Sequence, residues 1–356
     1  MENDLKAKVR ETLATILDPD INKSLEELDS IKNIDIEDNL INIELEIVQP
    51  IHLIAEKINQ ECAERLNQSF PDYESEIKFI ERKSNASERE VLKGVKNLIA
   101  VSSGKGGVGK SAFTANLAIS LSKTGAKVGI LDADVYGPSQ PTMFGLEGAT
   151  LPAIEEPDGK VLAYPNEKFG IKVASMGFVM NRDQAAIIRG PMLSQFFTML
   201  FEQIEWGPLD YLLFDLPPGT GDIQLTLTQK IPLTGAIIVT TPQDISIADV
   251  RRCIGMFNKV GANIIGIVEN MSYFIPPDMP DKKYYIFGKG GGARIAGEKG
   301  IALLGEIPLD IEMREYNDNG KPYLLVNEKG EFNKAFSSIT INIISRLRKH
   351  NFYAGN

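Results

Sequence analysis

Residues 104 to 111 read Gly-Lys-Gly-Gly-Val-Gly-Lys-Ser, and no other stretch restricts the possible folds so severely. The spacing G-x-x-x-x-G-K-[ST] is that of a phosphate-binding loop, in which small residues let the backbone curl and aim successive N–H groups at a phosphate. Such a loop sits between a buried strand and a helix whose N-terminus faces the phosphate. Both flanks are present. Asn97-Leu98-Ile99-Ala100-Val101 is a short apolar run, and Phe113, Leu117 and Leu121 fall at helical spacing. Gly104, Lys105, Gly106, Gly107, Val108, Gly109, Lys110 and Ser111 are therefore the expected nucleotide cradle. Lys110 supplies a point charge to the β- and γ-phosphates, and the Ser111 hydroxyl ligates Mg2+.

From Val95 onward, strands and helices alternate. Val128 to Leu131, Tyr211 to Phe214, Ala236 to Val239 and Ile264 to Val268 are short and wholly apolar, separated by segments long enough for crossovers. Runs of this kind belong to a parallel sheet covered on both faces, so the fold class is α/β, doubly wound, with a mainly parallel sheet. Ligands in such sheets lie beyond the carboxyl ends of the strands. Asp132, Asp215 and Asn270 each follow a strand and are expected to converge there with the loop.

Asp215 closes an apolar strand in the manner of a Walker B acid that holds Mg2+ or its water shell. The stiff Leu-Pro-Pro-Gly-Thr-Gly-Asp stretch that follows favours this over a simple turn cap. Asp132 and Asp134, two positions apart, would share one face of a regular strand. We assign Asp132 to the Mg2+ shell and Asp134 to water positioning or proton acceptance, with a cap on the turn before Tyr136-Gly-Pro open to either. Lys105, between two glycines, is either solvated or extended toward a nucleotide on a facing subunit.

Residues 1–84 suit a small α+β domain, with the alternation Ile-Asp-Ile and Ile-Glu-Leu-Glu-Ile marking half-buried strands. The polar stretch 85–94 is the expected linker, and 95–356 the nucleotide domain. A net charge of −10, from 48 acidic and 38 basic side chains, leaves no basic stripe, so nucleic acid is not an expected partner. No run is long and apolar enough for a membrane span and the first residues lack a signal core, so a cytoplasmic location without membrane contact is expected. Two cysteines, Cys62 and Cys253, rule out a disulfide framework and a one-chain thiolate cage. Both suit buried positions, an exposed place at a two-fold axis being the alternative. After Pro191, Leu193, Phe196, Phe197, Leu200, Phe201 and Ile204 form one stripe, widened by Met192 and Met199; core packing is expected, a docking groove the alternative.

The ordered segments GKGGVGKS, DADVYGPSQPTM, RGPM at 189 to 192, DLPPGTGD, TTPQDISIADV, VENMS and LGEIPLD resemble the Mrp/ApbC family from about Leu98 to Lys321. That family comprises P-loop ATPases of the MinD/ParA-like class that carry and transfer iron–sulfur clusters. The resemblance implies ATP hydrolysis to ADP and phosphate with Mg2+, a homodimer in which Lys105 acts across the interface, and apo iron–sulfur clients or an assembly scaffold as partners. It also implies that Asn270 reads the adenine edge while the loop at Pro308 closes over the base, and that the leading domain is an iron–sulfur-assembly module. Relatives holding a bridging 4Fe–4S cluster carry C-x-x-C shortly after the ENMS segment; here Ile275 to Gly288 contains no cysteine. Val48-Gln-Pro-Ile51 likewise stands where the leading module's relatives show a cysteine beside proline. The alternative is a nucleotide-switched MinD/ParA-like scaffold or accessory ATPase that carries no cluster.

Overall fold

Two compact units make up the protein, Met1–Asn85 with Ile344–Asn356, and Ala86–Ile343. The computed structural model describes residues 2–82, 92–157, 159, 161–179, 197 and 199–354. The RGPM segment, the linker's first residues and the leading part of the Phe/Met stripe lie outside the described residues.

In the first unit, helix α1 (Glu2–Ala14) and a small ladder of β1 (Leu17–Asp18) and β2 (Lys23–Ser24) precede a three-stranded sheet. Its order is β3 (Ile31–Glu37), β4 (Leu40–Val48), β5 (Glu74–Arg82), with β4 antiparallel to β3 and parallel to β5. Helix α2 (His52–Ser69) makes the crossover that a parallel pair requires. The period-two pattern works as the sequence suggests. Ile41, Ile43, Leu45 and Ile47 leave one face of β4 to pack on Val9 and Leu13 of α1 and on Ile54, Ile58 and Leu66 of α2. Each such buried side chain contributes about 1.5–3 kcal/mol.

The second unit is built on eight strands in the order β10, β11, β7, β12, β6, β13, β14, β15. All pair in parallel except the edge pair β10 (Asn166–Lys168) and β11 (Ile171–Ser175). The other strands are β6 (Val95–Ser102), β7 (Val128–Asp132), β12 (Leu209–Asp215), β13 (Gly235–Thr240), β14 (Ile264–Glu269) and β15 (Leu303–Glu306). A separate hairpin joins β8 (Ala153–Glu155) to β9 (Val161–Ala163). Strands β12 and β13 are buried at every position, which is why they lack alternation. The crossovers and the flanking helices are α3 (Lys110–Ser122), α4 (Gln140–Met143), α5 (Asp222–Lys230), α6 (Asp244–Lys259), α7 (Gly291–Lys299) and α8 (Ile311–Asp318). Of the Phe/Met stripe, Phe197, Leu200, Phe201 and Ile204 are buried in this unit's main core, with Met199 packed against it.

Helix α9 (Glu331–Ala354) supplies Ile339 and Ile343 to the second unit's buried set. From Ile344 onward it belongs to the first unit, although the sequence placed all of 95–356 in one domain. The reason is a buried arginine. Arg348 is fully enclosed, pairs with Asp18 and Asp20, and donates to the carbonyls of Val48 and Pro50. Phe352 adds an apolar contact with Ile21, Leu28 and Val48.

Candidate functional site

The register of the central strands sets the site. Asp215 at the tip of β12 lies directly opposite Asp132 at the tip of β7, and opposite Val101 near the tip of β6. Parallel strands in register point both carboxylates the same way at one level. Residues 103 to 109 follow β6 and lead straight into α3, so the strand–loop–helix order holds.

Two glycines have steric reasons. Gly109, with φ +81°, is the left-handed residue before α3, and a Cβ there would fall 2.3 Å from Asn270 Nδ2. At Gly104 a Cβ would meet Asp249 of α6 at 2.4 Å. The loop is held by its neighbours as well as by its own turns. Asn270 Nδ2 donates to the Val108 carbonyl at 2.9 Å, Ser103 Oγ to the Lys105 carbonyl, and the Gly219 N–H to the Ser103 carbonyl. Thus the Pro217-Pro218-Gly219 turn is tied to the start of the loop.

Lys110 Nζ donates to Asp215 Oδ1 and to Ser111 Oγ. Both ends of the Lys110–Asp215 pair are buried. Thr114 Oγ1 lies 3.3 Å from the same Asp215 oxygen, and Gln140 Nε2 donates to Oδ2 at 2.8 Å. Asp132 Oδ2 accepts from the Ser139 and Gln140 N–H groups and from Ser175 Oγ, and Oδ1 from the Asp134 N–H. Burial first, and the Asp215 charge second, push the Asp132 carboxyl up to about 7, against the pull of Lys110 and these backbone donors.

Asp134 differs from the expectation. β7 ends at Asp132, so strand alternation does not reach Asp134. Its Oδ1 accepts from the Tyr136 and Gly137 N–H groups, the turn-capping arrangement that the sequence left open. Asp132 caps the same loop further on, at Ser139 and Gln140. Burial raises the Asp134 carboxyl above its ordinary value.

A cavity of about 250 Å3 opens on the loop from Ser103 to Ala112, with Lys105, Asp134, Met143 and Pro218 on its walls. A neighbouring cavity of about 550 Å3 includes Tyr136, Met143 and Met176 in its lining. The Lys105 ammonium makes no ion pair or hydrogen bond among the described residues, which leaves it free to extend. Neither Asn270 nor Pro308 lines that cavity, although Asn270 touches the loop at Val108. Asn270 spends its amide N–H on the loop, and Pro308 is buried in a segment pinned by Ile307 and Leu309 to residues 269 to 273.

The acceptors gathered at the loop, Ser111 Oγ and the Asp132 and Asp215 carboxylates, are all hard oxygens. Two buried acids here face one buried lysine. That set fits a hydrated hard divalent cation such as Mg2+, and the carboxylates' existing hydrogen bonds suit contact through its waters. Cys62 and Cys253 are both buried, in α2 and α6, and burial raises their thiols to about 12 and about 11. Asp278 and Asp281, the acids within the cysteine-free stretch Ile275 to Gly288, are exposed. No group of three or more His, Cys, Asp or Glu suited to a metal ion occurs among the described residues. Gln140, Thr114 and Ser175 were missed by the sequence reading; only Thr114, one turn past Lys110 on the same helix face, carried a usable signal.

Phosphate loop, register-paired acids and parallel sheet together define a P-loop NTPase. Residues 94–344 match the family described as NUBPL iron-transfer P-loop NTPase, and residues 6–77 the family described as iron-sulfur cluster assembly protein. The chain belongs to the first of these families over its nucleotide unit and carries the second as its leading module. It is 45% identical over 339 residues to an iron-sulfur cluster carrier protein of Synechocystis sp., covering 94% of this chain and 96% of that one. A protein of the same description from Escherichia coli K12 is 40% identical over 346 residues, covering 96% and 92%. Among solved structures, a nucleotide-binding protein of Archaeoglobus fulgidus in complex with ADP is 38% identical with a TM-score of 0.58, over 68% of this chain and 93% of that one. The cell division ATPase MinD of Pyrococcus furiosus, at 21% identity and TM-score 0.51 over 69% of this chain and 98% of that one, shares the fold alone.

Proposed function

We propose that this protein binds and hydrolyses ATP with Mg2+ and, as a homodimer, carries or delivers an iron–sulfur cluster to apo-proteins. The observation that carries the nucleotide half is the convergence of Lys110, Ser111, Asp132 and Asp215 at the strand tips. Lys110 exchanges its Asp215 contact for the β- and γ-phosphates, while the loop N–H groups hold the phosphate oxygens. Bound Mg2+ supplies charge neutralisation to the departing phosphoryl group. Asp134, on the cavity wall, orients the attacking water, and Lys105 reaches the nucleotide of the partner protomer. Water attacks the γ-phosphorus, the bond to the β-phosphate oxygen breaks, and ADP and phosphate leave.

The cluster is cargo, and the carrier relatives in both halves of the chain support its assignment. Its ligands are not Cys62 and Cys253 as they stand, since both thiols are buried and held protonated. That same observation favours a second reading, an ATPase scaffold that holds no cluster. Anaerobic reconstitution with iron and sulfide separates the two. About four iron and four sulfide per dimer, transferable to an apo-protein, supports carriage; iron-free protein that hydrolyses ATP supports the scaffold. Absence of ATP hydrolysis by a nucleotide-binding dimer refutes the ATPase assignment.

A further inference from the structure

Gln140 opens helix α4 with its side chain fully buried. Its Nε2 donates to the Ser111 carbonyl at 3.0 Å and to Asp215 Oδ2 at 2.8 Å. Both partners are acceptors only, which fixes the amide's orientation, because the reversed amide would set its oxygen against two acceptors. The Gln140 backbone N–H meanwhile donates to Asp132 Oδ2. One residue thus joins the phosphate-loop helix and both strand-tip acids.

The remaining atom is unspent. Gln140 Oε1 is buried and has no hydrogen-bond donor among the described residues. A buried amide oxygen without a donor is costly, and an apolar side chain of the same length would avoid that cost. A donor must therefore come with a ligand. In a site of hard oxygens, the ligand that brings donors is a hydrated divalent cation, whose bound waters direct their protons outward.

We propose that Gln140 is a positioning residue for the nucleotide-bound Mg2+. Its Oε1 accepts a hydrogen bond from a water of the cation's shell, while Nε2 keeps Asp215 and Ser111 at a fixed separation. This inference rests on the Mg2+–nucleotide reading above. A purely structural amide would serve nucleotide binding equally with and without the cation; a positioning residue affects the Mg2+-dependent part.

Calorimetric titration with ADP, in EDTA and in excess Mg2+, makes the distinction in the full-length protein. The wild type is expected to bind ADP more tightly with Mg2+. Gln140→Leu should hold its affinity in EDTA within about two-fold and lose about ten-fold of the Mg2+-dependent gain, the size of one hydrogen bond to a charged group. Should the leucine variant fail to fold, Gln140→Met, of equal length, replaces it. Retention of the full Mg2+ gain in the leucine or methionine variant overturns the proposal, and so does an equal loss of affinity in both buffers. A wild type that binds no ADP, or binds it identically in both buffers, instead sinks the underlying reading of the site.

Discussion

Lys110→Ala removes the ammonium that Asp215 meets at the heart of the second unit. Lys110 is 6% exposed and Asp215 0%, so this pair is buried, unlike an ordinary flexible surface lysine. Asp132, equally buried, sits opposite Asp215 in the sheet register. Truncating the lysine leaves two buried acids without their cation. Breaking a buried pair costs about 3–5 kcal/mol, against roughly 0.5 kcal/mol for a surface site. The cost should depend on pH in a definite direction. The Asp132 carboxyl already sits near 7 through burial and the Asp215 charge, and losing Lys110 raises it further. A protonated acid needs no counter-charge, so the deficit should be full at about pH 8 and shrink toward about pH 5.5. Urea unfolding in EDTA without nucleotide measures this. Trp206, the single tryptophan and 1% exposed in the large core, reports on this unit alone. A deficit below about 1 kcal/mol, or one equal at both pH values, would refute the argument that the fold relies on this charge.

The wild type should show the same linkage in milder form. With a folded value near 7 against an ordinary 3.8, stability without Mg2+ rises as pH falls from about 8 to 5, by up to about 1.4 kcal/mol per unit below 7. A flat Trp206-monitored profile over that range would contradict it. Asn270→Ala frees the Val108 carbonyl and should weaken ADP and GDP binding by a similar factor, about five- to ten-fold, because the side chain clamps the loop. Titrations in which only ADP suffers would show that it reads the base instead. Finally, a thiol reagent should label neither Cys62 nor Cys253 in the native protein within minutes, and both on unfolding; prompt labelling of the native protein would mean an accessible thiol.

Much of the nucleotide site was legible because its chemistry sits at punctuation marks. An apolar run ending in an acid can end only at the edge of the sheet, so Asp132 and Asp215 announced themselves. Their exact pairing could not be read, since register depends on strands 83 positions apart in sequence meeting at Asp215 and Asp132. Strand β11, between β10 and β7, was missed because Lys172 interrupts its short apolar pattern. Asn270 appeared at the right place, but sequence locates a strand end without saying which neighbour its amide will find, here the Val108 carbonyl. Gln140 has no local mark whatever, being defined by three contacts from three elements. Arg348 stands beside Arg346 and Lys349 in the last helix, with nothing in the sequence to set it apart from them. Nothing near it in sequence hints at Asp18, 330 positions earlier.

That last contact bears on the order in which the chain becomes structured during synthesis. Domains generally fold as units, earlier ones first, as they emerge. Here the leading unit lacks its central arginine and the Phe352 contact until α9 has been made, after every strand of the eight-stranded sheet. The leading unit is therefore translated before the nucleotide unit and completed after it. The nucleotide unit has all its strands in hand before its neighbour is locked.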